Sequence, residues 1–122
     1  MEIWNSVRED RMSLGGGMHL RLLSAGQLLE ARREAGKLAK EPGERPLCSN
    51  ACLVARCLWE DGAEKPLFEN GQQVLDALSA GDIEALAKRW DMFRRSFFAG
   101  AEVVERGVNP NFEAQRGGEM RA

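Results

Sequence analysis

Residues 79–104 read SAGDIEALAKRWDMFRRSFFAGAEVV, and this stretch decides the predicted fold class. Its apolar side chains recur at steps of three and four, which is the spacing of one face of an α-helix. The stripe consists of Ile83, Leu86, Trp90, Phe93, Phe97, Ala101 and Val104. Ser79 can cap this helix, and Asp82 places a negative charge near the positive end of the helix dipole. The stretch therefore predicts the longest helix of the chain.

Two shorter helices upstream are predicted from their N-terminal caps. Ser24 and Gln27 have the spacing of a capping box, which predicts a helix over residues 25–40. Asn70 and Gln73 repeat that spacing before a third, shorter helix. Both cap pairs are local signals, so they give the starts of these helices directly.

A second helix is predicted between those two, from a cap at Ser49 or Asn50 to about Trp59. Its apolar residues follow helical spacing, as shown by the set Ala51, Val54, Ala55 and Leu58. After it, Leu67 and Phe68 are expected to fill the core as the chain returns. We therefore predict an all-α fold, a small bundle of about four helices with flexible N- and C-terminal ends.

The predicted domain is flanked by two flexible segments. Residues 1–17 are polar, end in three glycines and show no periodicity, so they are predicted to be a flexible leader. Residues 18–106 are predicted to form the helical domain, and 19–23 fit either a short strand or an extended lead-in. Residues 107–122 are predicted to be a flexible tail. A chain of 122 residues is the length of one domain.

The charge and hydropathy patterns exclude several classes of function. The chain has 17 basic and 19 acidic side chains, a net charge of −2, whereas nucleic-acid-binding modules usually carry a basic excess. Its apolar runs fall short of the roughly 18–20 residues that span a bilayer, and the N-terminus lacks the apolar stretch of a signal peptide. We expect a cytoplasmic protein that binds neither nucleic acid nor a membrane.

The three cysteines are interpreted as core residues. Cys48, Cys52 and Cys57 lie within ten positions, and an odd number in a cytoplasmic protein indicates free thiols. A zinc or redox site is the alternative. Zinc needs four convergent ligands, but Cys57 falls on the helix face opposite Cys48, and the one histidine, His19, is distant in sequence. We therefore predict no metal and no cofactor.

Sequence motifs for catalysis are also missing. The glycine run 15–17 is not followed by the Lys-Ser/Thr of a phosphate-binding loop, and no Gly-x-Ser-x-Gly occurs. A single histidine leaves little for acid–base chemistry, and the neighbouring carboxylates Glu60 and Asp61 flank a turn. We predict that the protein is not an enzyme and has no catalytic residues.

Four residues are predicted to lie at a protein-contact surface. Arg94 and Arg95 belong to the densest basic cluster of the chain. A solvated helix face and stacking with nucleic-acid bases are the alternative interpretations of this cluster. Trp59 and Phe98 are expected at the edge of the buried surface, where they can form an exposed apolar patch of the kind that marks a protein partner.

Five segments occur in a recognisable order. HLRLLSAGQLLE (19–30) leads into the first predicted helix, and ACLVARCLWEDG (51–62) carries the second into an Asp-Gly turn. PLFENGQQVL (66–75), LSAGDIEAL (78–86) and NPNF (109–112) follow. In this order they resemble the tail assembly chaperones of long-tailed bacteriophages, over about three quarters of the chain.

The resemblance implies a non-enzymatic role. Chaperones of this family are small helical proteins that hold the long tape measure protein, recruit the tail tube protein around it, and are absent from the finished virion. This chain would be the short form, made without a ribosomal frameshift. It would act in the host cytoplasm as a homo-oligomer that lines its long ligand with repeated weak sites. A small helical regulator or adaptor of a bacterium or prophage is the alternative.

Overall fold

The computed structural model describes residues 11–97. The elements are β1 (Arg11–Gly15), β2 (Met18–Arg21), α1 (Ala25–Leu38), a 3-10 turn (Pro42–Glu44), α2 (Arg45–Cys57), β3 (Leu58–Glu60), α3 (Gly71–Ala77) and α4 (Ala80–Phe97). Helix accounts for 63% of the structure and strand for 15%. The fold is therefore mixed α/β, with four helices and a sheet, and the all-α prediction is wrong.

The sheet is antiparallel, in the order β1–β2–β3. The glycine run 15–17 connects β1 to β2, and all three glycines have positive φ angles of 80°, 64° and 82°, which glycine adopts without strain. The glycine run, which was predicted to end a flexible leader, therefore forms a hairpin connection. The folded part begins upstream of residue 18, because β1 lies within the segment predicted as leader.

The third strand continues directly from α2. The helix ends at Cys57, and Leu58 already has extended backbone angles of φ −94° and ψ 121°. Trp59 was predicted at the end of the helix, but it lies on β3 opposite His19 of β2. Residues 19–21 accordingly form a strand, one of the two alternatives that the sequence left open.

Helix α2 begins earlier than predicted. Its first residue is Arg45, and Pro46 occupies the first turn, where a missing N–H costs no hydrogen bond. Ser49 and Asn50 therefore lie inside the helix, and the prediction that one of them caps it is wrong. A proline in this position is typical of a helix start.

The other three caps are confirmed. The Ser24 hydroxyl accepts from the N–H of Gln27 at 3.1 Å, and the side-chain amide oxygen of Gln27 accepts from the N–H of Ser24 at 2.8 Å. The Asn70 side chain accepts from the N–H of Gln73 at 2.9 Å. The Ser79 hydroxyl accepts from the N–H of Asp82 at 3.1 Å. These bonds satisfy N–H groups that the first turn of a helix leaves without partners.

The core forms around α2, against which α1, α3 and α4 pack. The main cluster contains Leu20, Ala51, Val54, Ala55, Cys57, Leu58, Val74, Ile83 and Trp90. A second cluster joins α1 to α2 through Ala31, Ala35, Cys48 and Cys52. Of the long apolar stripe, Ile83 and Trp90 are buried and Leu86 and Phe93 are half-buried. Phe98, residues 98–106 and the tail 107–122 lie outside the described residues.

Candidate protein-binding site

His19 joins the hairpin to the Asp-Gly turn. Its Nδ1 lies 2.6 Å from an oxygen of Asp61, and its Nε2 accepts from Nε of Arg21 at 3.0 Å. These partners fit the neutral imidazole that carries its proton on Nδ1. The ring is 5% exposed. Because both nitrogens are engaged and the ring is buried, His19 holds the sheet to the turn and does not present a free base or metal ligand.

The predicted contact residue Trp59 is half-buried on β3. Its indole N–H donates to the carbonyl of Arg56 at 3.2 Å, and the guanidinium of Arg21 lies 3.6 Å from the ring centroid. Such a cation–π contact stabilises both side chains. Arg21 in turn accepts a hydrogen bond at its carbonyl from the indole of Trp90, at 2.9 Å. The structure therefore links Trp59 to α4 through Arg21 and Trp90.

The predicted contact residues Arg94 and Arg95 lie in the last turn of α4, where basic charge complements the helix dipole. Both pair with Asp91, at 2.6 Å and 2.9 Å. The two differ in environment. Arg95 is 72% exposed, whereas Arg94 is 42% exposed and lies over the Trp90 ring at 5.5 Å. Arg94 therefore joins the chain of contacts that begins at Trp59.

An apolar cleft of about 360 Å³, which was not predicted from the sequence, lies between the hairpin, the loop after β3, and α4. Its apolar wall includes Leu14, Met18, Leu67, Phe68, Leu78 and Leu86. Asp82 and Arg89 add two opposite charges to its lining. We call this surface the apolar cleft. Its lining combines large aliphatic side chains with few polar groups, which is the composition of a site for an apolar partner.

The loop after β3 is held beside the sheet by backbone contacts. Trp59 forms a bridge with Pro66, and the N–H of Leu67 donates to the carbonyl of Leu58 at 3.0 Å. Phe68 is half-buried and packs against the main core, as expected. Leu67 is 41% exposed, so the expectation that it fills the core is wrong. Its side chain instead lines the apolar cleft.

A polar cluster joins α1, α2 and α3. One oxygen of Glu34 accepts from Arg56 at 2.7 Å, and the other accepts from the N–H of Gly71 at 2.7 Å. Arg56 also donates to the carbonyl of Cys52 at 3.0 Å. Burial by itself raises the pKa of Glu34, but hydrogen bonds from Arg56 and Gly71 and the charge of Arg56 outweigh it and lower that pKa. Both carboxylate oxygens are engaged, so the cluster is structural.

This cluster predicts a pH dependence of stability. The pKa of Glu34 is lower in the folded state than its ordinary value of 4.5. The ionised carboxylate therefore contributes to the free energy of unfolding at pH values above 4.5. The contribution is lost as the pH falls through the folded pKa. We expect Glu34→Gln to lower the free energy of unfolding by about 1–3 kcal/mol at neutral pH. The difference should shrink in acid. Urea unfolding of both proteins at several pH values measures it, and a difference that does not change with pH would contradict the assignment.

The three cysteines are buried and unpaired. Burial raises the pKa of Cys57 to about 12, and burial together with the charge of Glu34 raises that of Cys52 to about 12. Nucleophilic attack and metal binding both require the thiolate. Within residues 11–97, no three His, Cys, Asp or Glu side chains are grouped so that they could hold a metal ion. These thiols therefore act as small apolar core groups.

Comparison of the chain with protein-family models, curated proteins and solved structures finds no match. None of the helices within the described range combines the length and apolarity that crossing a membrane requires. Among the described residues, the apolar cleft is the candidate site for a protein partner.

Proposed function

We propose that the chain is a tail assembly chaperone of a long-tailed bacteriophage, which binds the tape measure protein and helps to recruit tail tube subunits. One observation carries the proposal. Of the segments that resemble this family, 51–62, 66–75 and 78–86 all contribute side chains to the apolar cleft. The lead-in 19–30 begins on β2, which pairs with β3 beside it. Segments distant in sequence thus build one surface.

The chemistry of the cleft suits a helical protein ligand. An amphipathic helix binds by placing apolar side chains, spaced three and four residues apart, into a groove. Leu67 is a large apolar side chain that is 41% exposed at this groove, where a partner would cover it. Side chains buried at the centre of such a contact supply most of the binding energy.

The described titratable groups favour binding over catalysis. His19 and Glu34 are engaged by protein partners, and the thiols of Cys52 and Cys57 have raised pKa values. A protein that holds a long helical ligand needs no reactive group. Self-association would place many weak clefts along that ligand, and their combined avidity would exceed that of one cleft.

The test is co-expression with a candidate tape measure protein, followed by co-purification. We expect Leu67→Glu to reduce the amount of recovered complex at least tenfold, which corresponds to a loss of roughly 1.4 kcal/mol of binding free energy. The reason is that the glutamate would bring an unpaired charge into an apolar contact. Since Leu67 is already partly in solvent, the variant should remain folded. Circular dichroism checks this.

Met92→Glu is the matched control. Met92 is 61% exposed on α4, outside the apolar cleft, so the same substitution there should leave the complex intact. Equal loss in both variants would show that the cleft is not the contact. Failure of the unmodified proteins to associate, with each soluble alone, would overturn the proposed function.

A further inference from the structure

A second groove lies between α1 and α4, with α2 as its floor. It has a volume of about 300 Å³ and is lined in part by Arg32, Ser49, Asn50, Leu53, Trp90 and Arg94. We call it the arginine groove. A neighbouring cleft of about 330 Å³ shares Asn50, Leu53, Trp90 and Asp91 with it and continues along α4 to Glu84 and Lys88. Together they form a trough that runs along α4 from residue 94 to residue 84. At the rise of 1.5 Å per residue of an α-helix, its length is about 15 Å.

Arg94 is held in place without being saturated. One terminal nitrogen donates to Asp91 at 2.6 Å, and the guanidinium lies over the Trp90 ring. Its Nε is buried and has no hydrogen-bond partner among residues 11–97. Arg94 is therefore oriented at the groove with hydrogen-bonding capacity to spare.

The opposite wall and the floor of the groove also carry unused polar groups. Arg32 extends from α1 and has no ion pair with any of the described residues. The side chains of Ser49 and Asn50 likewise have no hydrogen-bond partner in this part of the chain. Two arginines thus face one groove from two different helices, with uncharged hydrogen-bonding groups between them.

We infer that the arginine groove binds a peptide segment through a glutamate or aspartate side chain placed between Arg32 and Arg94. A carboxylate fits the planar fork of a guanidinium and forms strong charge-assisted hydrogen bonds with it. Leu28 and Leu53 supply apolar contact for the rest of the segment. Neither the residues nor the surface are those of the apolar cleft, so this inference is independent of the proposed function.

The acidic charges of the same trough select an isolated carboxylate over a polyanion. Asp91 lines the groove itself, and Glu84 lines its continuation. A nucleic acid would bring closely spaced phosphates against both. A peptide helix can place one acidic side chain at the arginines and apolar or basic side chains farther along. The occupant is therefore a protein segment.

The experiment uses the full chain and a labelled helical peptide of about 14 residues, or four turns, with a single glutamate near its middle and alanine, leucine and lysine elsewhere. A twin peptide carries glutamine in place of that glutamate. Fluorescence polarisation should show that the glutamate peptide binds at least tenfold more tightly. On binding, the NMR signal of the Asn50 side-chain amide should shift, because Asn50 lines the groove.

Arg32→Gln and Arg33→Gln form the matched pair of variants. Both residues are exposed on α1, but Arg32 lines the groove and Arg33 does not. We expect Arg32→Gln to weaken binding about tenfold, since one arginine partner of the carboxylate is lost, and Arg33→Gln to leave it unchanged. Equal effects of the two variants, or equal affinity for the two peptides, would overturn the inference. Tighter binding of a single-stranded oligonucleotide, lost in Arg32→Gln, would also overturn it.

Discussion

Replacing Trp90 with alanine is expected to lower the free energy of unfolding by about 3–5 kcal/mol. The side chain is 4% exposed and belongs to the main core cluster, together with Val54 of α2 and Ile83 of α4. Its loss would remove apolar contacts and leave a cavity between elements that are fixed by their other contacts. The carbonyl of Arg21 would also lose the hydrogen bond that it accepts from the indole at 2.9 Å.

Urea unfolding followed by circular dichroism measures this loss. Trp90→Phe keeps most of the ring volume but removes the indole N–H, so it should cost clearly less than Trp90→Ala. Met92→Ala is the control on the same helix, because Met92 is 61% exposed. Its effect should stay within about 0.5 kcal/mol. A loss below about 1 kcal/mol for Trp90→Ala would show that the side chain does not support the core.

The caps of α1, α3 and α4 could be predicted because their partners are close in sequence. Ser24 and Gln27 are three residues apart, and both hydrogen bonds of the capping box form within that span. The same holds for Ser79 and Asp82. Short-range signals of this kind do not depend on the rest of the fold, so the sequence alone determines where these helices begin.

The sheet could not be predicted in the same way. Strands β2 and β3 are separated by α1 and α2, and β3 has only three residues directly after a helix, without a breaker between them. In β1 the apolar residues Met12 and Leu14 alternate with polar ones, but five residues are too few to distinguish a strand from a loop. Pairing with distant strands decides the outcome.

Most of the candidate site was equally hidden, because stretches far apart in sequence build it. Leu14, Leu67 and Leu86 meet at the apolar cleft only through the hairpin, the returning loop and α4. A signal was available only for the polar cluster, which is separate from the cleft. Glu34 lies between Ala31 and Leu38 on the inward face of α1, and a carboxylate on an apolar face requires a buried partner. That partner, Arg56, lies on another helix and could not be identified from spacing.

Gly71→Ala is the second substitution with a large expected effect. A Cβ at this position would lie 2.5 Å from the sulfur of Cys52, and 3.2 Å from both Glu34 and Leu38. Cys52 is fully buried, so its sulfur has little room to move. The N-terminus of α3 would have to shift away from α2, at a cost of about 1–3 kcal/mol for overpacking. The shift would also stretch the bond from the Gly71 N–H to Glu34, so we expect a total loss of about 3 kcal/mol.

A double-mutant cycle with Cys52→Ala tests the physical cause of this loss. Removing the sulfur opens the space that the new methyl group needs, so Gly71→Ala should cost at least about 1 kcal/mol less in that background. Gly36→Ala is the control, because its Cβ would meet only an arginine side chain at 3.9 Å, an ordinary contact. At this exposed position in the middle of α1, the change should stabilise the protein by up to about 1 kcal/mol. Two results would contradict this explanation: an effect of Gly71→Ala as small as that of Gly36→Ala, or a cost that is the same with and without the Cys52 sulfur. Either result would show that the close packing of α3 on α2 does not require glycine at position 71.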